Sequence, residues 1–322
     1  MAHRVARGSL AALTIAALCC FAGNSLLARA ALRAGEIDAA AYTLIRLASG
    51  AAVLFALLRL RRAKPARAGG SAAVEGVPPR GGTKPARAWG SAAVEEVPPL
   101  GRAKVARSGS WASAAALFLY AGPFSFAYLR LPAGTGALLL FGAVQVTMIG
   151  RGIAAGERPR PLEWLGLIAA LGGLTWLVLP GLAAPEPLSA ALMLGAGAAW
   201  GWYSLRGRAA VDPLATTADN FARAVPVAAL CALPFVRGMH ASALGAWLAV
   251  ASGALASGVG YSLWYAALPS LSRLRAGLVQ LSVPVLAAAS GALLLGEALT
   301  WRLAIAAFAI VGGIALALLG RR

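Results

Sequence analysis

The sequence predicts an all-α integral membrane protein, with ten transmembrane helices arranged as two inverted five-helix repeats. Three observations point there. First, 60% of the 322 residues are hydrophobic and 12% are charged, whereas a soluble domain carries about 45–50% apolar and about 25% charged residues. Second, apolar stretches long enough to cross a bilayer, about 20 residues each, follow one another along the chain. Third, the chain echoes itself. At a spacing of 140 residues Gly156-Glu157 matches Gly296-Glu297, Gly172-Gly173 matches Gly312-Gly313, Ala169 matches Ala309 and Leu138 matches Leu278.

The first thirty residues have a basic start (Arg4, Arg7), an apolar run from Leu10 and an "ARA" at Ala28–Ala30, the pattern of a secretory signal. We read them as a retained first span, because "FAGNSLLAR" (Phe21–Arg29) has a counterpart in "WGWYSLRGR" (Trp200–Arg208), sharing Ser25/Ser204, Leu26/Leu205 and Arg29/Arg208. Ala39–Leu58 is the second span, with Asp38 as its N-cap. The basic stretch 61–110 differs in kind. "AKPARAGGSAAVEGVPPRGG" is followed by "TKPARAWGSAAVEEVPPLGR", and Lys64, Lys84 and Lys104 keep a 20-residue period. Pro, Gly, Ala and charge dominate, so a disordered, duplicated insertion is expected there. A basic loop beside a membrane is also suited to touch anionic lipid.

Eight further spans are expected near Trp111–Tyr128, Ala133–Gly150, Leu162–Leu182, Pro187–Leu205, Thr217–Val236, Leu244–Leu268, Ala276–Leu295 and Leu303–Leu319. With both termini and the 61–110 loop in the cytoplasm, cytoplasmic segments carry 22 Lys and Arg and external ones 5, the asymmetry of the positive-inside rule. The net charge of +18 is therefore read as membrane orientation rather than nucleic-acid binding. Residues 1–186 form the first repeat and 187–322 the second. Five spans in each place the copies in opposite orientation, an architecture of secondary transporters with a site near the bilayer midplane.

The order and duplication of these spans, together with "GYSLWYAAL", "LSVPVLAAASGALLLGEALT" and "GGIALALLG" in the second half, resemble the EamA-like branch of the drug/metabolite transporter superfamily. The resemblance covers nearly the whole chain except the insertion. It implies a secondary transporter in the bacterial plasma (inner) membrane that exports or exchanges small metabolites by alternating access, through a cavity between the halves; Tyr203, Tyr261 and Trp264 would suit an apolar or amino-acid-like solute there. Family halves usually carry a proline in the fourth span; here the second half has Pro284 and the first has Val144-Gln145.

Arg46 and Arg223 are the sharpest candidates for a site. Each lies inside a span, where an arginine costs about 2.5–3.5 kcal/mol on insertion scales, and they align between the repeats. One reading makes them cavity cations for a substrate carboxylate. The other is structural, with Arg223 paired to Asp219 four residues back and Arg46 resting on Tyr42. Asn24, Gln145, Tyr203, Tyr261, Trp264 and Gln280 supply polar and aromatic surface for the same cavity. Pro284, which cannot donate a backbone hydrogen bond, is the candidate gate or kink. Trp111, Trp164, Trp247 and Trp301 read as interface residues, Glu157 and Glu297 as helix-cap or interface residues, and Cys19, Cys20 and Cys231 as buried apolar thiols.

No enzyme is expected. The sequence has no HExxH, no Cys/His metal spacing and no phosphate-binding Gly loop with Lys, so neither a metal nor a cofactor is anticipated. The expected partners are a small-molecule substrate and membrane lipids, with a homodimer as the candidate assembly. A non-transporting membrane scaffold or a small-molecule-binding membrane protein is the competing reading.

Overall fold

The computed structural model describes residues 7–63, 109–156, 158, 160–179, 181, 184–207, 210–267, 270–271 and 279–319. Among them the chain is helical, and its one β-bridge pairs Ile37 with Ala241. The helices are α1 (Arg7–Arg33), α2 (Ala39–Ala63), α3 (Trp111–Ala127), α4 (Ala133–Ala154), α5 (Pro161–Val178), α6 (Pro187–Gly207) and α7 (Pro213–Ala232), followed by α8 (Ala243–Ala251), α9 (Gly260–Ala267), α10 (Ser282–Leu295) and α11 (Trp301–Leu319). A 3-10 turn, Leu233–Gly238, extends α7, and a π-helical stretch, Ser252–Val259, joins α8 to α9.

Six of these rods are long and apolar enough to cross a membrane: Leu10–Arg33, Ala39–Ala63, Ala133–Ala154, Pro161–Val178, Pro213–Gly238 and Ala243–Ala267. Lipid offers no partner to a free N–H or C=O, so a spanning helix must satisfy its own backbone and cap its ends. Side chains do this at several starts. Asp38 accepts from the amides of Ala40 and Ala41, Ser110 from Ser113, Asp212 from Ala215 and Ser242 from Gly245. Large apolar side chains such as Trp301, Phe308 and Leu293 are exposed, as suits a bundle whose outer surface faces acyl chains.

The helices differ from expectation in informative places. α1 and α2 run to Arg33 and Ala63, past the apolar runs, because a basic last turn suits a helix C-terminus. The span expected at Leu244–Leu268 is one apolar rod, but its middle third is π-helical. Cys19 and Cys231 are exposed and Cys20 is half-buried, which corrects the expectation of buried thiols: in a bundle of this kind an apolar residue can face outward as easily as inward. Residues 64–108 of the expected insertion, together with Glu157 and Arg208, lie outside the described residues.

Packing is organised around a few close pairs. α5 lies along α11, α2 along α7, and α4 against α10; α6 packs on α3 and α4, and α1 packs on the π stretch, α9 and α10. Small residues permit the approach, the usual device where lipid removes the hydrophobic drive between helices. A Cβ at Gly173 would stand 2.8 Å from the Ala309 methyl, and one at Gly313 would stand 3.0 Å from the Ala169 methyl. Three turns on one face of the bundle are tied together. Gly296, at φ 63°, ends α10 in the left-handed conformation, and Glu297 behind it reaches Arg29 Nε at 2.9 Å and the Ala133 amide at 2.7 Å. Arg29 also donates to the carbonyls of Tyr128 and Leu129. Glu297 thus caps α4, a helix of the other half, in agreement with its reading as a cap.

Candidate functional site

The site forms where α1, α2, α3 and the π stretch meet. Asp38 caps α2, and Arg46 follows seven residues inside it, roughly 10 Å along the axis at about 1.5 Å per residue. Its side chain is 1% exposed, and Arg46 heads the fully buried side chains by volume among the described residues. The guanidinium carbon lies 4.6 Å from the centre of the Phe124 ring and 5.0 Å from that of Tyr120. Nη2 donates to the Tyr120 hydroxyl at 2.7 Å. Nη1 makes no hydrogen bond among the described residues.

The same hydroxyl accepts from Asn24 Nδ2 at 3.2 Å, and Asn24 Oδ1 accepts from the Ser252 hydroxyl at 2.6 Å. One polar chain therefore runs from the π stretch through α1 and α3 to Arg46 on α2. Beside it is a cavity of about 30 Å³, room for about two waters at ~10–15 Å³ of such volume each. Phe21, Asn24, Ser25, Tyr120, Leu140 and Phe141 line it from the first half of the chain, and Trp200, Ala256, Ser257, Tyr261 and Gln280 line it from the second. Trp200 is the hub of the aromatic wall, stacked on Tyr261 at 5.1 Å and on Tyr203 at 5.4 Å, with Tyr120 at 4.9 Å.

Of the residues singled out from sequence, Asn24, Tyr261 and Gln280 line this cavity, and Arg46 reaches its wall through Tyr120. Tyr203 stacks behind Trp200 and takes a hydrogen bond from Asn220 at 3.4 Å. Trp264 packs edge-on to Phe21 and against Ala17. Gln145 is buried within α4, away from the lining. Arg223 is not brought to the cavity. It pairs with Asp219 at 3.2 Å and lies over Trp111, its Nε without a hydrogen bond among the described residues. Asp219 and Asn220 accept from the amides of Gly109 and Ser110, which anchors the start of α3. Pro284 falls in the first turn of α10, three residues after a turn at Leu281 interrupts the helix. It has no N–H to offer the carbonyl of Gln280 four residues back, so the break stands next to a cavity residue.

The buried charges sort by partner. Among the described residues the buried side chains that carry a charge at neutral pH are Arg29, Arg46 and Glu163. Arg29 has Glu297, and Glu163 accepts from the Arg160 amide at 2.7 Å. Among the described residues no carboxylate lies within ion-pair distance of Arg46. Two cation–π contacts, worth roughly 0.5–2 kcal/mol each, offset an insertion cost of about 2.5–3.5 kcal/mol. They let the fold carry the charge without neutralising it.

Comparison with known proteins shows the family of the chain. Residues 187–319 match the profile of the EamA-like transporter family. A Pseudomonas aeruginosa protein named "Uncharacterized protein PA1977" is 49% identical over 309 residues, which cover 96% of this chain and 94% of that one. The chain belongs to the EamA-like transporter family, within the drug/metabolite transporter superfamily. It is accordingly a multi-pass membrane protein of a transporter family. A solved structure titled "Crystal structure of protein" shares the fold, with a TM-score of 0.60 at 20% identity over 98% of this chain and 100% of that one. In this EamA-like chain the sequence search missed Tyr120, Ser252 and Ser257. Tyr120 sits in "ALFLYAGPF", which reads as core, and nothing local tells that its hydroxyl joins Asn24 to Arg46.

Proposed function

We propose that the protein is a secondary transporter of the bacterial inner membrane, exporting small organic metabolites, amino-acid-like or related solutes, by alternating access. The observation that carries this reading is the cavity walled jointly by the two halves, with a polar chain from Asn24 to Arg46 at its edge. A site shared by two halves opens to one side or the other as they rock.

Counting α8, the π stretch and α9 as one span gives ten spans, five in each half. Two features support an inverted repeat. Helix neighbours exchange between halves: α6 packs on α3 and α4, while α1 packs on the α8–α9 rod and α10. The α5–α11 contact is also reciprocal. Gly173 meets Ala309 while Gly313 meets Ala169, and each residue of one pair stands 140 positions from its counterpart in the other. A two-fold relation produces such contacts. The Arg29–Glu297 ion pair, with its bonds to the α3–α4 turn, supports a closed external face.

The test is counterflow exchange in proteoliposomes with labelled amino acids and organic acids, beside an Arg46→Ala variant. The expected result is saturable exchange by the wild type and at least ten-fold slower exchange by the variant. Silence from well-folded wild type across a broad panel would contradict the carrier and favour a non-transporting scaffold.

A further inference from the structure

We infer that the transported solute is a small organic monoanion, a carboxylate with an apolar or aromatic body and no ammonium group, held by its carboxylate at Arg46. This rests on the carrier reading above and narrows its substrate class.

Three observations converge. Arg46 is a buried cation without an opposite charge among the described residues, and its Nη1 has no acceptor. A bidentate carboxylate is the ligand that a guanidinium fork fits best. The nearby polar groups are also rich in donors. The Tyr120 hydroxyl already accepts from both Arg46 and Asn24, which leaves its own proton to give, and the Ser257 hydroxyl on the cavity wall has no partner among the described residues. Such a set suits an acceptor-only group. Finally, no Asp or Glu lines the cavity among the described residues. The ammonium of a zwitterion would find no carboxylate there, whereas an aromatic or branched body would find Trp200, Tyr261 and Phe21. Arg46 stands behind Tyr120 rather than in the lining, and at about 30 Å³ the cavity is too small for such a solute, so Tyr120 and the aromatic wall must shift when the carboxylate reaches Arg46.

The experiment is calorimetric titration of the full-length protein in detergent with sodium phenylacetate, neutral phenylacetamide and L-phenylalanine. Sodium benzoate and 3-methylbutanoate serve as further carboxylate probes. Arg46→Gln, Arg46→Lys and Tyr120→Phe are measured alongside, with thermal unfolding as the check on folding. The expected result is saturable binding of at least one carboxylate, ten-fold or more tighter than the amide and the amino acid. Arg46→Gln should lose it by at least ten-fold, with partial recovery in Arg46→Lys. Equal binding of the amide, tighter binding of phenylalanine, no binding of any carboxylate, or unchanged affinity in Arg46→Gln would overturn the inference. Counterflow separates it from the carrier reading. Saturable exchange of a neutral or zwitterionic solute by both wild type and Arg46→Gln would overturn the anion site and keep the carrier. Arg46-dependent carboxylate binding without any exchange would uphold the site and overturn the carrier.

Discussion

An arginine shut away from water is tolerated when it is paired, when it rests on ring faces, or when its ligand supplies the charge. Arg29 and the less deeply set Arg223 have Glu297 and Asp219, whereas Arg46, among the described residues, has only rings and a hydroxyl. The consequence for stability is opposite in sign. Removing one member of a buried pair strands the other charge, at about 3–5 kcal/mol, whereas exchanging an unpaired buried charge for an apolar side chain of similar volume strands no partner and removes a desolvation cost. Arg29→Met is therefore expected to lower the melting temperature in detergent clearly, and Arg46→Met to leave it within about 1 kcal/mol of wild type or raise it. A collapse of Arg46→Met would show that Arg46 is a structural residue. Part of this distinction was legible in the sequence. The residue four before Arg223 is Asp219, an acid in helical register, and the residue four before Arg46 is Tyr42. What was not legible is that Arg46 points to α3, because the rings that receive it lie more than seventy positions away.

At the scale of elements, the π stretch is the feature that sequence periodicity could not show. "SGALASGV" (Ser252–Val259) reads as ordinary small-residue helix. Its extra residue per turn answers a tertiary demand, since Gly253 lies so close to α2 that a methyl there would overlap the Arg46 carbonyl and the Ser49 hydroxyl. Single π turns inside α-helices frequently mark functional sites. Here the stretch delivers Ser252 to Asn24 and Ser257 to the cavity, five positions apart, which is the π hydrogen-bond spacing. Gly253→Ala is expected to cost about 1–3 kcal/mol by overpacking and to displace Arg46, whereas Gly195→Ala, with open space beside it, should be neutral. Thermal unfolding of both variants checks this, and equal melting of the two would count against the close approach. By contrast, the helices themselves and the Gly296-Glu297 turn were readable, because capping residues, apolar runs and a glycine that ends a helix are local signals.

Across the whole molecule, ties accumulate on the face that carries the α1–α2, α3–α4, α7–α8 and α10–α11 connections. His240 adds one with a pH dependence. Its ring nitrogens lie 3.2 Å from the carbonyls of Gly35 and Gly238, and only the imidazolium has a proton for both. These carbonyls, with a smaller contribution from Asp38, raise its pKa above the usual value. A raised folded-state pKa means that the contribution is fully present below the unfolded value of about 6.5 and is lost as pH rises through the folded one. The melting advantage of wild type over His240→Ala is expected at pH 5.5 and should shrink by pH 8; an advantage that grows with pH would contradict the contact. Matched residues 140 positions apart were legible in the sequence, yet the roles of matched residues were not. Arg46 and Arg223 match in the sequence but are placed differently, one at the cavity's edge and one in an ion pair, because their neighbours on other helices differ.

The most direct test of a cavity served by two halves is access from both sides of the membrane. With Cys19, Cys20 and Cys231 replaced by Ala, a Ser257→Cys variant with retained exchange activity is labelled by a membrane-impermeant thiol reagent in right-side-out and in inverted vesicles. The expected result is labelling from each side, slowed by transported solute. Labelling from one side alone, or from neither, would contradict alternating access to this cavity.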